Sequence, residues 1–254
     1  MVTADLLQRS RTVLASCRRG KGAGCTTFVV TVISVWPERL FDSHRSDRVV
    51  YLADADGPVR RLETGRWHAP VGSVDLRVLE RVQEPVLDVG CGPGRHVAEL
   101  TTRGLDAVGI DCSPAAVLEA RGRGAHAIQA SVFDDVVRCG EWATVLLLDG
   151  NIGIGGDPVR LLGRCAQLMR PGGQILVETE PPGTTERRGR FRVMTSSAGP
   201  GRSLGHMGQW FHWALVSSEQ NVRIAASAGL SLSDTWSDRG RWFAELSDCP
   251  RRLR

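Results

Sequence analysis

Three glycines in five positions follow a short apolar run in the segment VLDVGCGPGRH, which spans Val86–His96. The apolar run carries one acid, Asp88, and the glycines are Gly90, Gly92 and Gly94. The run is typical of a strand, and the residues after the last glycine are typical of a helix. A strand, a glycine turn and a helix form a common nucleotide-binding site, because glycine lets the backbone turn tightly and approach a ligand closely.

The spacing of these glycines separates two kinds of nucleotide cofactor. A dinucleotide fold needs the pattern G-x-G-x-x-G, and its third glycine would fall at position 95, which is Arg95. The observed pattern is G-x-G-x-G with an acid two residues ahead. S-adenosylmethionine has no phosphate and needs a tight turn with an acid near its ammonium and sulfonium end. The spacing therefore favours S-adenosylmethionine over a nicotinamide dinucleotide.

The segment VLDVGCGPG resembles the first motif of the class I S-adenosylmethionine-dependent methyltransferases, and other motifs of that family follow in order. In this family the second strand ends in an acid that binds the ribose hydroxyls, and AVGIDCSP places Asp111 there. After the third strand the family usually has an acid near the adenine amino group, whereas QASVFDD has Ser131 at that position. The adenine contact is then expected from the backbone of Val132 or from the side chain of Asp134.

The fourth strand ends in LLDGNIGIGGDP, at the edge where donor and acceptor meet in this family. The resemblance implies that Asp149 and Gly150 line the sulfonium. Asn151 has two interpretations, local turn bonding and substrate contact. Only Asp149 and Asp157 are acids near this edge, so no metal site is expected. The predicted cofactor-binding residues are Asp88, Gly90, Gly92, Gly94, Asp111, Ser131, Val132, Asp149 and Gly150.

Alternating strand and helix signals predict the sheet that positions these residues. Continuous apolar runs such as TVLLL indicate strands buried on both faces, as in a parallel sheet covered by helices. The predicted strands are Val86–Val89, Ala107–Ile110, His126–Ala130, Thr144–Leu148 and Gln174–Glu178.

Capping and turn signals complete the fold prediction. Ser73 is a candidate N-cap, and Ser113 and Asp157 each precede a proline at a helix start. A hairpin is predicted from Val49 onward, and a helix over Ser218–Ala228. The last two predicted strands are Ser231–Trp236 and Arg241–Leu246, joined by a tight turn. We therefore expect an α/β fold, with a Rossmann-like parallel sheet, an antiparallel last strand and helices on both faces.

An insertion of useful size follows strand five, over about 181–216. It contains RFRVM, a glycine-proline turn and GQWFHWALV, which predict a second hairpin laid over the sheet. Segments at this edge of a doubly wound sheet usually border the ligand, so the insertion is a candidate substrate lid. Trp210 and Trp213 are its candidate substrate contacts, with one expected to face the cofactor pocket and the other the body of the domain.

Histidines supply the candidates for a general base, because imidazole titrates near neutral pH. His206 and His212 lie in the insertion and are the weak catalytic candidates. Trp67 and His68, which precede the first strand of the parallel sheet, are further candidates for the pocket rim.

Charge divides the chain into two predicted parts. Residues 1–48 hold eight basic and four acidic residues, and the remaining 206 residues hold 24 of each, for a net charge of +4. Residues 1–48 are predicted to be an N-terminal extension, and residues 49–254 the methyltransferase domain. A neutral domain gives no electrostatic reason to expect a nucleic-acid partner, which needs a clustered basic face.

Cysteine and hydropathy patterns bear on the compartment. The seven cysteines include no C-x-x-C pair, which indicates free thiols in a reducing compartment. The segment TTFVVTVISVW has 11 apolar or small residues, too few to span a bilayer, and no small-residue cleavage site follows it. We expect a cytoplasmic protein without a membrane partner.

The residues and the resemblance together predict methyl transfer from S-adenosylmethionine to a small-molecule acceptor. Two alternatives are methylation of a nucleic acid or protein, which would show as a basic or aromatic-lined groove, and a binding protein that has lost turnover. The acceptor atom and the oligomeric state are left open.

Overall fold

The computed structural model describes residues 48–197 and 204–248. Its strands are β1 (Arg48–Asp54), β2 (Val59–Leu62), β3 (Val86–Val89), β4 (Ala107–Asp111), β5 (Ala127–Gln129), β6 (Trp142–Leu147), β7 (Met169–Thr179), β8 (Arg187–Ser197), β9 (Leu204–Met207), β10 (Phe211–Leu215), β11 (Leu230–Asp238) and β12 (Arg241–Asp248). Its α-helices are α1 (Gly65–His68), α2 (Ser73–Leu79), α3 (Arg95–Thr102), α4 (Pro114–Gly122), α5 (Pro158–Leu168) and α6 (Asn221–Ser227).

The large sheet has seven strands in the order β11-β12-β7-β6-β3-β4-β5. Strands β3 to β7 are parallel to their neighbours in this series, and β12 pairs antiparallel with both β7 and β11. The predicted Rossmann-like sheet with an antiparallel last strand is therefore confirmed. The parallel strands place their carboxyl ends along one edge, which is where the predicted site residues lie.

Both faces of the large sheet are covered by helices. On β6, Val145 and Leu147 pack in a core with residues of α5 and α6. Leu146 and Leu148 pack in a second core with residues of α2, α3 and α4. This alternation follows from the period of two in a strand, and it explains why the β6 sequence is continuously apolar.

Capping residues fix where the site helices begin. Ser113 Oγ accepts a hydrogen bond from the Ala116 N–H at 3.3 Å, and Asp157 Oδ1 accepts one from the Arg160 N–H at 3.1 Å, as predicted. The predicted N-cap at Ser73 is wrong, because Gly72 holds that position. The predicted helix over 218–228 is a 3₁₀ turn at Ser218–Gln220 followed by α6.

The segment after β7 forms a different structure from the predicted hairpin. Strands β8, β9 and β10 join β1 and β2 in a second, antiparallel sheet of order β10-β8-β1-β2, with β9 on β8. Strand β8 has 11 residues and pairs with β10 on one side and with β1 on the other. Phe191 and Val193 of β8 bury against Val50 and Leu52 of β1, and this packing holds the N-terminal hairpin to the insertion.

The predicted extension over 1–48 lies almost entirely outside the described residues, since β1 begins at Arg48. Within the described ranges, no helix has the length and apolar character needed to cross a bilayer.

Candidate functional site

A cavity of about 160 Å³ lies at the carboxyl ends of β3, β4 and β6, between the large sheet and the small one. Since one water needs about 10–15 Å³ by this measure, the cavity has room for an organic ligand. Its wall has two parts. The loop half consists of residues at the ends of β3 to β6, and the apolar half consists of Leu52, Leu62, Trp67, Ile154, Trp213 and Leu215, with Glu180 at its rim.

Seven of the nine predicted cofactor-binding residues line the loop half. They are Gly90, Gly92, Asp111, Ser131, Val132, Asp149 and Gly150. Asp88 and Gly94 lie outside the cavity wall. Gly94 has φ +78° and serves helix packing, because a Cβ atom there would lie 2.6 Å from Ala120 Cβ. The third glycine of the motif thus permits close contact between the turn and α4 rather than contact with a ligand.

The glycine loop is held against the end of β6 by one side chain. Asn151 Nδ2 donates to the carbonyl oxygens of Val89 and Gly90, each at 2.9 Å. Gly90 has φ +73°, and a Cβ atom there would lie 2.8 Å from Asn151 Nδ2. Asn151 also lines the cavity, so its side chain both fixes the loop and borders the ligand space. The sequence suggested local turn bonding or substrate contact for Asn151. A hydrogen bond from Asn151 to the glycine loop after a neighbouring strand is neither of these.

Asp111 closes the other side of the loop half at the end of β4. Its carboxylate accepts the Gly92 N–H at 2.9 Å and the Ser113 N–H at 2.8 Å. Burial raises the pKa of Asp111 above its ordinary value, against the effect of these two hydrogen bonds. Each carboxylate oxygen can accept more than one hydrogen bond, so Asp111 retains capacity for hydroxyl donors of a ligand.

Asp149 lies just after β6, and its carboxylate is paired with two arginines. Arg95 Nη2 lies 3.0 and 2.9 Å from its two carboxylate oxygens, and Arg66 Nη2 lies 3.0 Å from Oδ1. Burial alone would raise the pKa of Asp149, but the positive charges of Arg95, His96 and Arg66 lower it. Asp149 is therefore a charge-compensated carboxylate at the junction of the two halves.

A network of buried charges lies behind this junction. Arg95 also bonds Asp75, and Asp75 Oδ1 accepts from Arg241 Nη1 at 2.6 Å. Arg241 in turn forms a bidentate pair with Glu178, at 2.8 and 2.7 Å. Burial opposes the charged form of Asp75, but the nearby His96 ring and hydrogen bonds from Arg95 and Arg241 hold its pKa below its usual range. The network fixes Arg95 and Asp149 through α2, β7 and β12.

Asp88 lies next to the buried ring of His96. His96 Nδ1 is 3.6 Å from Asp88 Oδ2, and His96 Nε2 is 3.7 Å from Asp75 Oδ1. Burial would lower the pKa of His96, but the two nearby carboxylates raise it to about 9. The structure therefore places Asp88 beside the His96 ring, and not in the cavity wall where the resemblance implied a cofactor contact.

The tryptophans of the insertion divide between the cavity and the surface. Trp213 lines the cavity, whereas Trp210 is 38% exposed and lies under the Arg192 guanidinium, 4.6 Å from ring centroid to Cζ. The expectation that one tryptophan faces the body of the domain is wrong, because the second one lies at the surface. His212 is exposed, pairs with Arg190 across the strands and is not in the cavity wall.

The remaining predicted rim residues have separate positions. His206 belongs to β9, and its side chain lies outside those described. Trp67 lines the cavity as predicted, whereas His68 Nδ1 lies 2.8 Å from Glu119 Oε1 and outside the wall. Among the described residues, no group of three or more potential metal ligands is placed to bind a metal ion.

Sequence reasoning missed four kinds of contributor to the site. Arg66, Arg95, Glu180 and the leucines Leu52 and Leu62 were not assigned a role. Arg95 directly follows the glycine motif and Glu180 lies just past a predicted strand, so the carboxyl-edge rule could have found both. The two leucines required the pairing of β1 with β8, which no local pattern signals.

Comparison with known proteins agrees with this geometry. Residues 86–173 match the family described as "Methyltransferase domain". The ubiquinone biosynthesis O-methyltransferase of Xanthomonas axonopodis pv. citri is 29% identical over 157 residues, which are 55% of this chain and 62% of that relative. The chain thus spans less than two thirds of the curated relatives it matches.

Two solved structures share the fold. One is an S-adenosylmethionine-dependent methyltransferase from Bacteroides fragilis in complex with S-adenosyl-L-homocysteine, with a TM-score of 0.64 and 20% identity, covering 84% of this chain and 92% of that one. The other is a sugar N-methyltransferase from Streptoalloteichus sp, with a TM-score of 0.53 and 22% identity, covering 91% of this chain and 100% of that one.

Proposed function

We propose that this chain, which belongs to the class I S-adenosylmethionine-dependent methyltransferases, transfers a methyl group from S-adenosylmethionine to a small-molecule acceptor. The observation that carries the proposal is a single cavity in which the glycine loop and Asp111 face an apolar wall containing Trp67 and Trp213. A nucleotide site and a site for an organic molecule then share one cavity, as a direct transfer between two bound molecules requires.

The residues of the loop half fit the parts of the cofactor. The Asp111 carboxylate is assigned to the ribose hydroxyls, and Ser131 with Val132 to the adenine end. Arg95 and Asp149 offer a cation and an anion at the cavity wall, which suit the carboxylate and ammonium of the methionine portion. S-adenosylmethionine supplies a methyl group on a positively charged sulfur, which is already an activated leaving group.

The work of the protein is then to align the acceptor and to exclude water. The apolar half gives a rigid surface for an organic acceptor, because tryptophan rings offer large contact area with few rotatable bonds. An acceptor held between the two sheets would lie in line with the donor, with part of its surface shielded from solvent. In this proposal residues 49–254 are the methyltransferase domain, and 181–216 contribute to acceptor selection through Trp213.

Support for a small-molecule acceptor comes from the wall and from the relatives. The apolar half is lined by leucine, isoleucine and tryptophan, which suit an organic body better than a phosphate backbone. The relatives carry names from ubiquinone biosynthesis and from sugar N-methylation, and both describe small molecules.

The test is calorimetric titration of the full chain with S-adenosylhomocysteine and, separately, with NADH. We expect S-adenosylhomocysteine to bind and NADH not to bind. Asp111→Ala should weaken S-adenosylhomocysteine binding about 10–100-fold, or about 1.4–2.8 kcal/mol, because each hydrogen bond to a carboxylate contributes this order of free energy. Asp135→Ala, which removes an exposed acid of the same size, should leave the affinity unchanged.

Thermal unfolding of both variants shows whether they are folded. A folded Asp111→Ala variant with unaltered affinity would exclude Asp111 as the ribose ligand. Binding of NADH without binding of S-adenosylhomocysteine would overturn the assignment of the cofactor.

A further inference from the structure

Glu180 is an acid in the wall of the cavity, next to the apolar half. It is the first residue after β7 and lines the cavity wall. Its N–H donates to the Val216 carbonyl at 2.8 Å, and its carbonyl accepts the Ser218 N–H at 2.9 Å. The backbone of Glu180 is therefore fixed on both sides, which limits where its side chain can reach.

The other two acids of the described cavity wall are already compensated. Asp111 accepts two backbone N–H groups, and Asp149 is paired with Arg95 and Arg66. Among the described residues, Glu180 pairs with Arg60, whose Nη1 lies 3.2 Å from Oε2, and the side chains of Arg60 and Glu180 are 36% and 32% exposed. A partly exposed pair of this kind contributes about 0–1 kcal/mol, so a ligand cation can share or replace Arg60 at little cost.

The surroundings of this carboxylate are apolar. Leu52, Leu62 and Trp67 come from the N-terminal hairpin and α1, and Trp213 and Leu215 come from β10. An acceptor that fits this half has an apolar body and one basic group that reaches Glu180. We infer that the acceptor is an apolar amine whose nitrogen is bound by Glu180; this inference rests on the proposed methyl transfer.

The charge change of the reaction favours the same conclusion. The bound ammonium first loses a proton to water; the amine lone pair then forms the N–C bond as the C–S bond breaks, the sulfur keeps the electron pair of that bond, and the positive charge moves from sulfur to nitrogen. The nitrogen then releases a proton to Glu180 or to water. A carboxylate beside the nitrogen stabilises the charge that develops there. The same carboxylate would disfavour a phenolate or thiolate acceptor, which approaches as an anion.

The test uses 4-phenylbutylamine and 4-phenylbutan-1-ol, which share an apolar body and differ in the charged nitrogen. Each is titrated by calorimetry at neutral pH into full-length protein saturated with S-adenosylhomocysteine. The amine is expected to bind about tenfold more tightly than the alcohol, which corresponds to about 1.4 kcal/mol. In Glu180→Gln the two affinities should come within about threefold of each other, because the charge-assisted hydrogen bond is lost.

Glu63→Gln is the matched control, because Glu63 pairs with Arg61 at 3.4 Å but lies outside the cavity wall. This variant should keep the full preference for the amine. If Glu180→Gln does not fold, Glu180→Asp takes its place and should keep a reduced preference.

The outcomes separate the inference from the proposed function. Absence of S-adenosylhomocysteine binding to the unmodified chain would overturn the proposed function itself. Normal S-adenosylhomocysteine binding with equal affinity for the two probes, with no binding of either probe, or with an amine preference that survives Glu180→Gln, would overturn the role of Glu180 alone.

Discussion

The two halves of the cavity are stabilised by different kinds of interaction. The loop half is formed by backbone turns and paired charges, with Arg95 and Asp149 held in a buried network. The apolar half is formed by side chains that bury against one another, such as Trp213 and Leu52. The loop half thus owes its geometry to electrostatics and glycine turns, whereas the apolar half owes its geometry to packing.

The difference teaches which features a sequence can reveal. The residues of the loop half lie within a few positions of a strand end, so local sequence motifs can identify them. The residues of the apolar half come from β1, β2, α1 and β10, which are far apart in the chain. Three perturbations test this contrast.

The largest effect is expected from removing a buried charge of the loop half. Arg95 has a side chain that is 2% exposed and is bound to both Asp75 and Asp149. Arg95→Met should lower the free energy of unfolding by about 3–5 kcal/mol, because it removes one cation from each of two buried carboxylates. Arg103→Met, at the C-cap of the same helix, removes an exposed i,i+4 pair with Glu99 and should cost less than about 1 kcal/mol.

Urea denaturation of the two arginine variants measures this difference. Equal losses of stability would mean that the buried network contributes no more than a surface ion pair, and the contrast between the halves would fail.

The next effect concerns packing in the apolar half. Trp213→Ala should cost about 3 kcal/mol, near the lower end for a buried tryptophan, because part of its ring borders the cavity instead of packed neighbours. Trp210→Ala should cost less than about 1 kcal/mol, since it removes an exposed contact with Arg192. In both variants the affinity for S-adenosylhomocysteine, measured by calorimetry, should stay within about threefold of the original value. A large loss of affinity in Trp213→Ala would show that the halves are not separable.

The smallest effect is a pH dependence from His96. Its pKa is raised from 6.5 to about 9 in the folded chain, with Asp75, Asp88 and Arg95 as its charged neighbours. A raised folded pKa stabilises the fold fully below pH 6.5, and this stabilisation is lost as the pH rises through 9. Between pH 6 and pH 10 the loss should be about 2–3 kcal/mol. Unfolding measured at both pH values should show that much less is lost in His96→Gln; an identical loss would place the titrating group elsewhere.

The sequence alone predicted the frame of the loop half in detail. The apolar run Val86–Val89 is β3 with the same bounds, and Ser113 and Asp157 cap α4 and α5. These features depend on hydrophobic periodicity and on capping within one turn, and both are local. Seven of the predicted cofactor residues therefore lie in the wall.

What the sequence could not predict depends on contacts between distant segments. Asp88 turns to His96 because α3 places an imidazole below the loop, which the motif does not encode. Strand β8 of the insertion pairs with β1 as well as with β10, a long-range contact that no local pattern predicts, and Trp210 is exposed on the small sheet. Glu180 was overlooked because no residue pattern marks the end of β7 as part of an acceptor site.

The pairing of β1 with β8 also bears on how the chain folds. Asp54 lies opposite Phe191, so this contact closes a loop of 137 residues. The five parallel strands of the large sheet are complete by Thr179, before any residue of β8 has been synthesised. Contacts of high sequence separation form late, because the loop entropy must be lost before the contacts compensate for it. During synthesis the strands that support the glycine loop are therefore available first. Leu52 can take its place in the cavity wall only after β8 has been synthesised.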